Sequence, residues 1–160
     1  MRERLTARVL LFDPQGRLLL VRGRATPDAE LSFWFTVGGG VDPGETLEAG
    51  ALREVAEETG FTAVELGPVV WERASVFTLA DGETVILKES YFVARCPGGD
   101  PSRAAWEPHE VVLMDDIRWW EIEEIAAAEE MIYPERLREL LPDIVAGRLP
   151  ATPLEISVED

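Results

Sequence analysis

The stretch GGGVDPGETLEAGALREVAEETGF, Gly38 to Phe61, decides how this chain is read. Leu47, Ala51, Leu52, Val55 and Ala56 recur at helical spacing; Thr46 or Glu45 stands where an N-cap belongs and Gly60 where a C-cap belongs. The pattern predicts a helix over residues 46–59. On it Glu54, Glu57 and Glu58 fall at i, i+3 and i+4, so their carboxylates share an arc of roughly 100° while Ala51, Leu52, Val55 and Ala56 turn toward the core. Like charges so spaced disfavour a helix by a few tenths of a kcal/mol per pair. Taken alone, such a face is ordinarily a solvated one. A hard divalent cation reverses that balance, because Mg²⁺ takes oxygen ligands, keeps several waters and binds through a few carboxylates together with substrate phosphate. The preceding Gly38, Gly39 and Gly40 suit a loop whose backbone comes close to a phosphate or a metal.

Outward from this segment, the chain alternates strand and turn signals. Thr6 to Phe12 and Leu18 to Val21 read as a hairpin about the turn Asp13-Pro14-Gln15-Gly16, residues 22–31 as a loop, and Phe33 to Val37 as a third strand that stops at the glycines. Val69 to Leu79 and Thr84 to Ala94 read as two strands about Ala80-Asp81-Gly82, and residues 97–108 as a Gly- and Pro-rich loop. Val111 to Met114 and Ile117 to Trp120 read as short strands, Ile122 to Met131 and Pro134 to Val145 as helices, and the chain beyond Gly147 as extended. The expected organisation is one domain over residues 1–147 and a tail over 148–160.

The chain has 160 residues with 31 acidic against 15 basic side chains, a formal net charge of −16. That charge argues against nucleic acid and anionic membrane as partners, since both are bound through Lys and Arg. It also repels a free polyphosphate unless a metal or a local cluster of arginines offsets the field. One cysteine, Cys96, excludes an internal disulfide, and no apolar run approaches the ~18 residues of a membrane span, so a cytoplasmic location is expected.

Gly39, Glu45, Arg53, Glu54, Val55, Glu57, Glu58, Gly60 and Phe61 fall in the register of the Nudix box: Gly, any five, Glu, any seven, Arg-Glu-apolar-any-Glu-Glu-any-Gly-apolar. Nine specified positions in fixed register arise by chance roughly once in 10⁵ to 10⁶ sequences of this length. The chain thus resembles the Nudix hydrolases. The likeness covers the box and, more loosely, the strands before it and Arg118-Trp119-Trp120-Glu121-Ile122 after it. Many relatives carry proline before the Gly-Gly pair where this chain has Val37.

What the resemblance implies is an α/β/α sandwich with a mixed sheet. It also implies hydrolysis of a phosphoanhydride bond in a nucleoside diphosphate derivative: ADP-ribose, a nucleotide sugar, a dinucleoside polyphosphate or a modified nucleoside triphosphate. Glu54, Glu57 and Glu58 would hold Mg²⁺ (or Mn²⁺), with the Gly38 carbonyl as a further ligand. Arg53 would orient the carboxylates, and Gly39, Gly40 and Glu45 would support the loop. Glu107 and Glu110, beside His109, stand where some relatives place a catalytic base. Arg22, Arg24, Arg73 and Lys88 are candidates for phosphate contacts, and Trp34 and Tyr91 for stacking on a base. Trp119 and Trp120, with the family likeness, suggest a homodimer. Two other readings compete. An isopentenyl diphosphate isomerase would need a cysteine ahead of the box, and Cys96 follows it. A nucleotide-sensing module without catalysis would more readily have lost a box carboxylate, and all are present.

Overall fold

The computed structural model describes residues 1–24 and 26–157, apart from the side chains of His109 and Val112. In chain order the elements are β1 (Glu3–Phe12), β2 (Leu18–Arg24), β3 (Ser32–Gly40), α1 (Leu47–Thr59), β4 (Glu65–Thr78), β5 (Thr84–Arg95), α2 (Pro108–Leu113), β6 (Met114–Trp120), α3 (Ile122–Ala127), β7 (Ile132–Tyr133), α4 (Leu137–Val145) and β8 (Leu154–Glu155). The strands form one mixed sheet in the order β6-β2-β3-β1-β5-β4-β8, with β7 added beside β3. β1 lies at its centre, antiparallel to β3 and parallel to β5.

Alternation along β1 builds both cores. Ala7, Val9 and Leu11 point to the side where Ala51 and Val55 of α1 pack. Leu10 and Phe12 point to the other, where Ile125, Leu137, Leu141 and Ile144 of α3 and α4 pack. The helices therefore cover both faces, the sandwich expected from the resemblance. α1 begins where the pattern placed it. Thr46 caps it through its side chain, accepting from Ala49 N at 3.0 Å, and Gly60 ends it in the left-handed conformation with its N–H donated to Ala56 O.

Several local expectations give way to tertiary pairing. β3 does not stop before the glycines but runs through them, because Gly38, Gly39 and Gly40 pair with Arg8, Ala7 and Thr6 of β1. At Gly38, with φ of +139°, a Cβ would collide with the Ala7 carbonyl, so the close approach belongs to two strands as well as to a site. Val37 is fully buried opposite Val9, continuing the ladder at the position where proline would end it. Residues 22–24, expected in a loop, extend β2. Residues 111–113, expected as strand, form the end of α2: Pro108 sits at its first turn and Glu110 accepts the Glu107 N–H at 2.9 Å, a local cap that outweighs the β-branched valines. The helix expected over 122–131 ends at Ala127, since the following backbone is taken by Arg138, which donates to Ala128 O and Glu130 O, and by β3, where Trp34 N donates to Met131 O. Leu52, expected in the core, is 41% exposed, because the buried arc of α1 runs instead through Glu58, Ala51, Val55 and Thr59. No described helix is long and apolar enough to cross a membrane.

The tail docks: Leu154 and Glu155 pair with Trp71 and Glu72 of β4, and Ile156 is 1% exposed within the α3–α4 core. Ile156→Ala is therefore expected to cost about 2–5 kcal/mol by urea unfolding, with an unchanged m value; a loss under about 0.5 kcal/mol would show that the tail contributes nothing to the core.

Candidate active site

The site is assembled around one guanidinium. Arg53 Nε and Nη2 reach Glu45 Oε2 and Oε1, each at 2.9 Å, and Nη2 also donates to Gly40 O at 2.8 Å. Its Nη1 faces Glu54 Oε1 at 3.1 Å and Glu57 Oε1 at 3.4 Å. One cation thus ties the β3–α1 loop to two carboxylates of the helix. The bidentate hydrogen bonds from Arg53, then the Asp42 N–H, hold the Glu45 carboxyl down at about 2.

Glu58 lies deeper, only 2% exposed. Its Oε1 accepts from Gly38 N at 3.4 Å, its main-chain oxygen accepts from Trp106 Nε1 at 2.7 Å, and Oε2 is buried with no partner among the described residues. Burial pushes the Glu58 carboxyl well above the usual range, against the pull of Arg8 and with help from Glu54 and Glu110. Burial also raises Glu54, opposed by Arg53 and reinforced by Glu57 and Glu110. A Cβ at Gly39 would sit 2.7 Å from the Glu54 carboxyl, so this glycine leaves the carboxylate its space.

These groups open into a cleft of about 1060 Å³. Gly38, Gly39, Gly40, Glu45, Arg53, Glu54, Glu57 and Glu58 line it, and so do Glu107 and Glu110 from the start of α2. The sequence had separated those two parts by some fifty residues; the fold brings them together. The side chain of His109 lies outside the described residues. Of the candidates for phosphate and base, Arg24, Arg73 and Tyr91 line the cleft, with Arg24 bound to Asp115 and Arg73 to Glu89 and Glu135. Tyr91 is 2% exposed, and burial pushes its hydroxyl up beyond the usual range.

The remaining candidates lie elsewhere. Trp34 is 2% exposed, edge-on to Trp120 in the core, and offers no face to a base. Arg22 pairs with Asp115 at 2.6 Å and Lys88 with Glu3 at 3.0 Å, and neither lines the cleft. Trp120 is buried, and Trp119 stacks on Phe61 and donates to Gly99 O, so the pair that suggested a dimer packs within the protomer.

Sequence reasoning passed over Arg8, which donates to Gly38 O at 3.0 Å and to Glu89 at 3.2 Å. Its signal was an arginine set among apolar residues in a central strand. It also passed over the aromatic wall of Phe33, Phe35 and Tyr133, in which Phe33 and Tyr133 meet edge-on at 5.6 Å.

The donor set suits a hard cation: carboxylate oxygens, a buried unpartnered Oε2 on Glu58, and a glycine strand at contact distance. Glu54 and Glu57 are nonetheless turned to Arg53, and among the described residues no three His, Cys, Asp or Glu side chains form a metal-holding group.

The carboxyls impose opposite pH dependences. Glu45 is depressed in the folded state, so its contribution is present above the ordinary carboxylate range and is lost as pH falls toward about 2. Glu58 is raised, so its contribution is full below the ordinary range and is lost as pH rises through its elevated value. In EDTA, Glu58→Gln should flatten the decline of Tm between the ordinary carboxylate range and that elevated value. Parallel Tm–pH curves for the variant and the wild type would refute this account of Glu58.

Comparison with known proteins places this geometry. The NUDIX domain model matches residues 2–144. An RNA pyrophosphohydrolase of Caulobacter vibrioides is 53% identical over 58 residues, 36% of this chain and only 33% of the relative's length. One from Novosphingobium aromaticivorans is 30% identical over 127 residues, 73% of this chain and 76% of the relative. The crystal structure of a MutT protein from Methanosarcina mazei Go1 superposes with a TM-score of 0.63 at 23% identity, over 91% of this chain and 95% of that one. With the family model spanning nearly its whole length and the box residues gathered in one cleft, the chain belongs to the Nudix family of hydrolases.

Proposed function

We propose that this chain is a Mg²⁺-dependent pyrophosphohydrolase that cleaves a phosphoanhydride bond in a nucleotide-type substrate. The observation that carries the reading is the convergence of Glu54, Glu57, Glu58 and Glu110 with the arginines Arg8 and Arg53 in one cleft, where carboxylates for a metal and guanidiniums for phosphate lie together. Glu54, Glu57 and Glu58 would hold the metal, with Gly38 O beside them. Bound there, Mg²⁺ supplies charge neutralisation and an acidified water.

The chain's own residues do the rest. Arg53 keeps Glu54 and Glu57 within reach of each other and fixes the loop through Glu45 and Gly40. Arg8 holds the Gly38 carbonyl, and the N–H of the same residue donates to Glu58. Glu107 and Glu110 face this cluster from α2 and are the candidates to take the water's proton on a carboxylate oxygen.

The net charge of −16 disfavours a long nucleic-acid track, so the substrate is expected to be a small nucleotide derivative. The likeness to the Novosphingobium enzyme makes RNA 5′ ends a necessary comparison. A screen of nucleoside triphosphates, dinucleoside polyphosphates, ADP-ribose, nucleotide sugars and 5′-triphosphorylated RNA, each with and without Mg²⁺, tests the reading. On the substrate so found, Glu57→Gln should lower kcat by at least about 100-fold. Its unfolding free energy in EDTA should stay within about 1 kcal/mol of wild type, since a partly exposed ion pair contributes little. Wild-type-like hydrolysis in Glu57→Gln, or turnover indifferent to Mg²⁺, would overturn the reading.

A further inference from the structure

The arginines of the cleft are almost all committed. Arg2 pairs with Glu83, Arg8 and Arg73 share the two oxygens of Glu89, Arg24 holds Asp115, and Arg53 holds Glu45, Glu54 and Glu57. Arg4 differs. It is exposed, it lines the same cleft, and among the described residues its guanidinium has neither a hydrogen bond nor a carboxylate partner. In a chain with 31 acidic and 15 basic side chains, an arginine beside an acidic cleft that takes up no carboxylate stands out.

Its place gives it a use. Arg4 Nη2 lies 4.0 Å from where a Cβ on Gly40 would stand, and the Gly40 carbonyl is gripped by Arg53, which also holds Glu54 and Glu57. The guanidinium therefore stands at the rim, adjoining the end of the cleft that carries the carboxylates. A planar, permanently charged fork free of internal partners suits a phosphate that projects past the reacting centre.

We infer that Arg4 contacts a phosphate beyond the scissile bond, so that the cleft favours a 5′-triphosphate, on a mononucleotide or at the end of an oligonucleotide, over a diphosphate ester; this rests on the pyrophosphohydrolase reading above. A diphosphate ester uses both phosphates at the bond that breaks, whereas a triphosphate has one left for Arg4. The contact also offsets locally a net charge that otherwise repels such a ligand.

The test compares wild type, Arg4→Gln and Arg4→Lys. First, calorimetry in Mg²⁺ with a nucleoside triphosphate carrying methylene in place of both bridging oxygens reads the contact without turnover. Kd should rise about tenfold in Arg4→Gln and recover in part in Arg4→Lys, which keeps the charge but not the fork. Equal affinity in all three proteins, or no binding by wild type, overturns the inference. Second, the ratio of kcat/KM for triphosphate over ADP-ribose should fall about tenfold in Arg4→Gln. Parallel arms with a nucleoside triphosphate and a 5′-triphosphorylated dinucleotide show which source the enzyme prefers. Wild-type hydrolysis of ADP-ribose at least as efficient as that of both triphosphates overturns the inference and leaves the hydrolase standing. Arg4-dependent binding of the analogue with no hydrolysis of any compound would uphold the contact and sink the hydrolase reading.

Discussion

Three carboxylates on one helix face repel one another, and Arg53 is the cation the chain itself supplies to two of them. Its bidentate hold on Glu45 fixes the loop ahead of α1, its bond to the Gly40 carbonyl fixes the end of β3, and its remaining nitrogen faces Glu54 and Glu57. Glycine strand, loop and helix are thereby locked as one unit, and the relative placement of every group in the cleft depends on that lock. A lysine could not replace it, since a point charge cannot serve four acceptors lying in different directions from one planar group.

Around this unit the structure holds charge where burial opposes it. Glu58 is almost wholly removed from solvent with one oxygen unpartnered, and Glu54 is partly so, with Glu110 adding negative potential from across the cleft. Such an arrangement lowers folded-state stability in the absence of a counter-charge. On the proposed reading, a bound cation would supply that counter-charge. The backbone is shaped to the same end: β3 runs through three glycines, so that the main chain rather than side chains meets Glu54 and β1.

The cleft of this strongly acidic protein gathers arginines among its carboxylates. Arg8, Arg24, Arg53 and Arg73 line it, and Arg8, Arg53 and Arg73 are paired with carboxylates of the same cleft, so the charge there is partly offset. The metal-bound polyphosphate of the proposed function would meet less resistance there than net charge alone implies.

The sequence by itself determined α1, its caps and the clustering of Glu54, Glu57, Glu58, Arg53 and Glu45, because helical spacing, capping and i, i+4 pairing all act within a few residues. Glu107 and Glu110 were marked only by the family resemblance. Tertiary structure alone decided what lay across long separations. Glycines read as a loop became strand once β1 offered them a ladder, and valines read as strand became helix once Pro108 and Glu110 capped them. Trp34 went to the core while Arg8, eighty-one residues from Glu89 in sequence, came to hold the Gly38 carbonyl. Which side of a strand faces solvent, core or cleft is set by the neighbours that pack on it, and a single strand's alternation cannot say which neighbours those are.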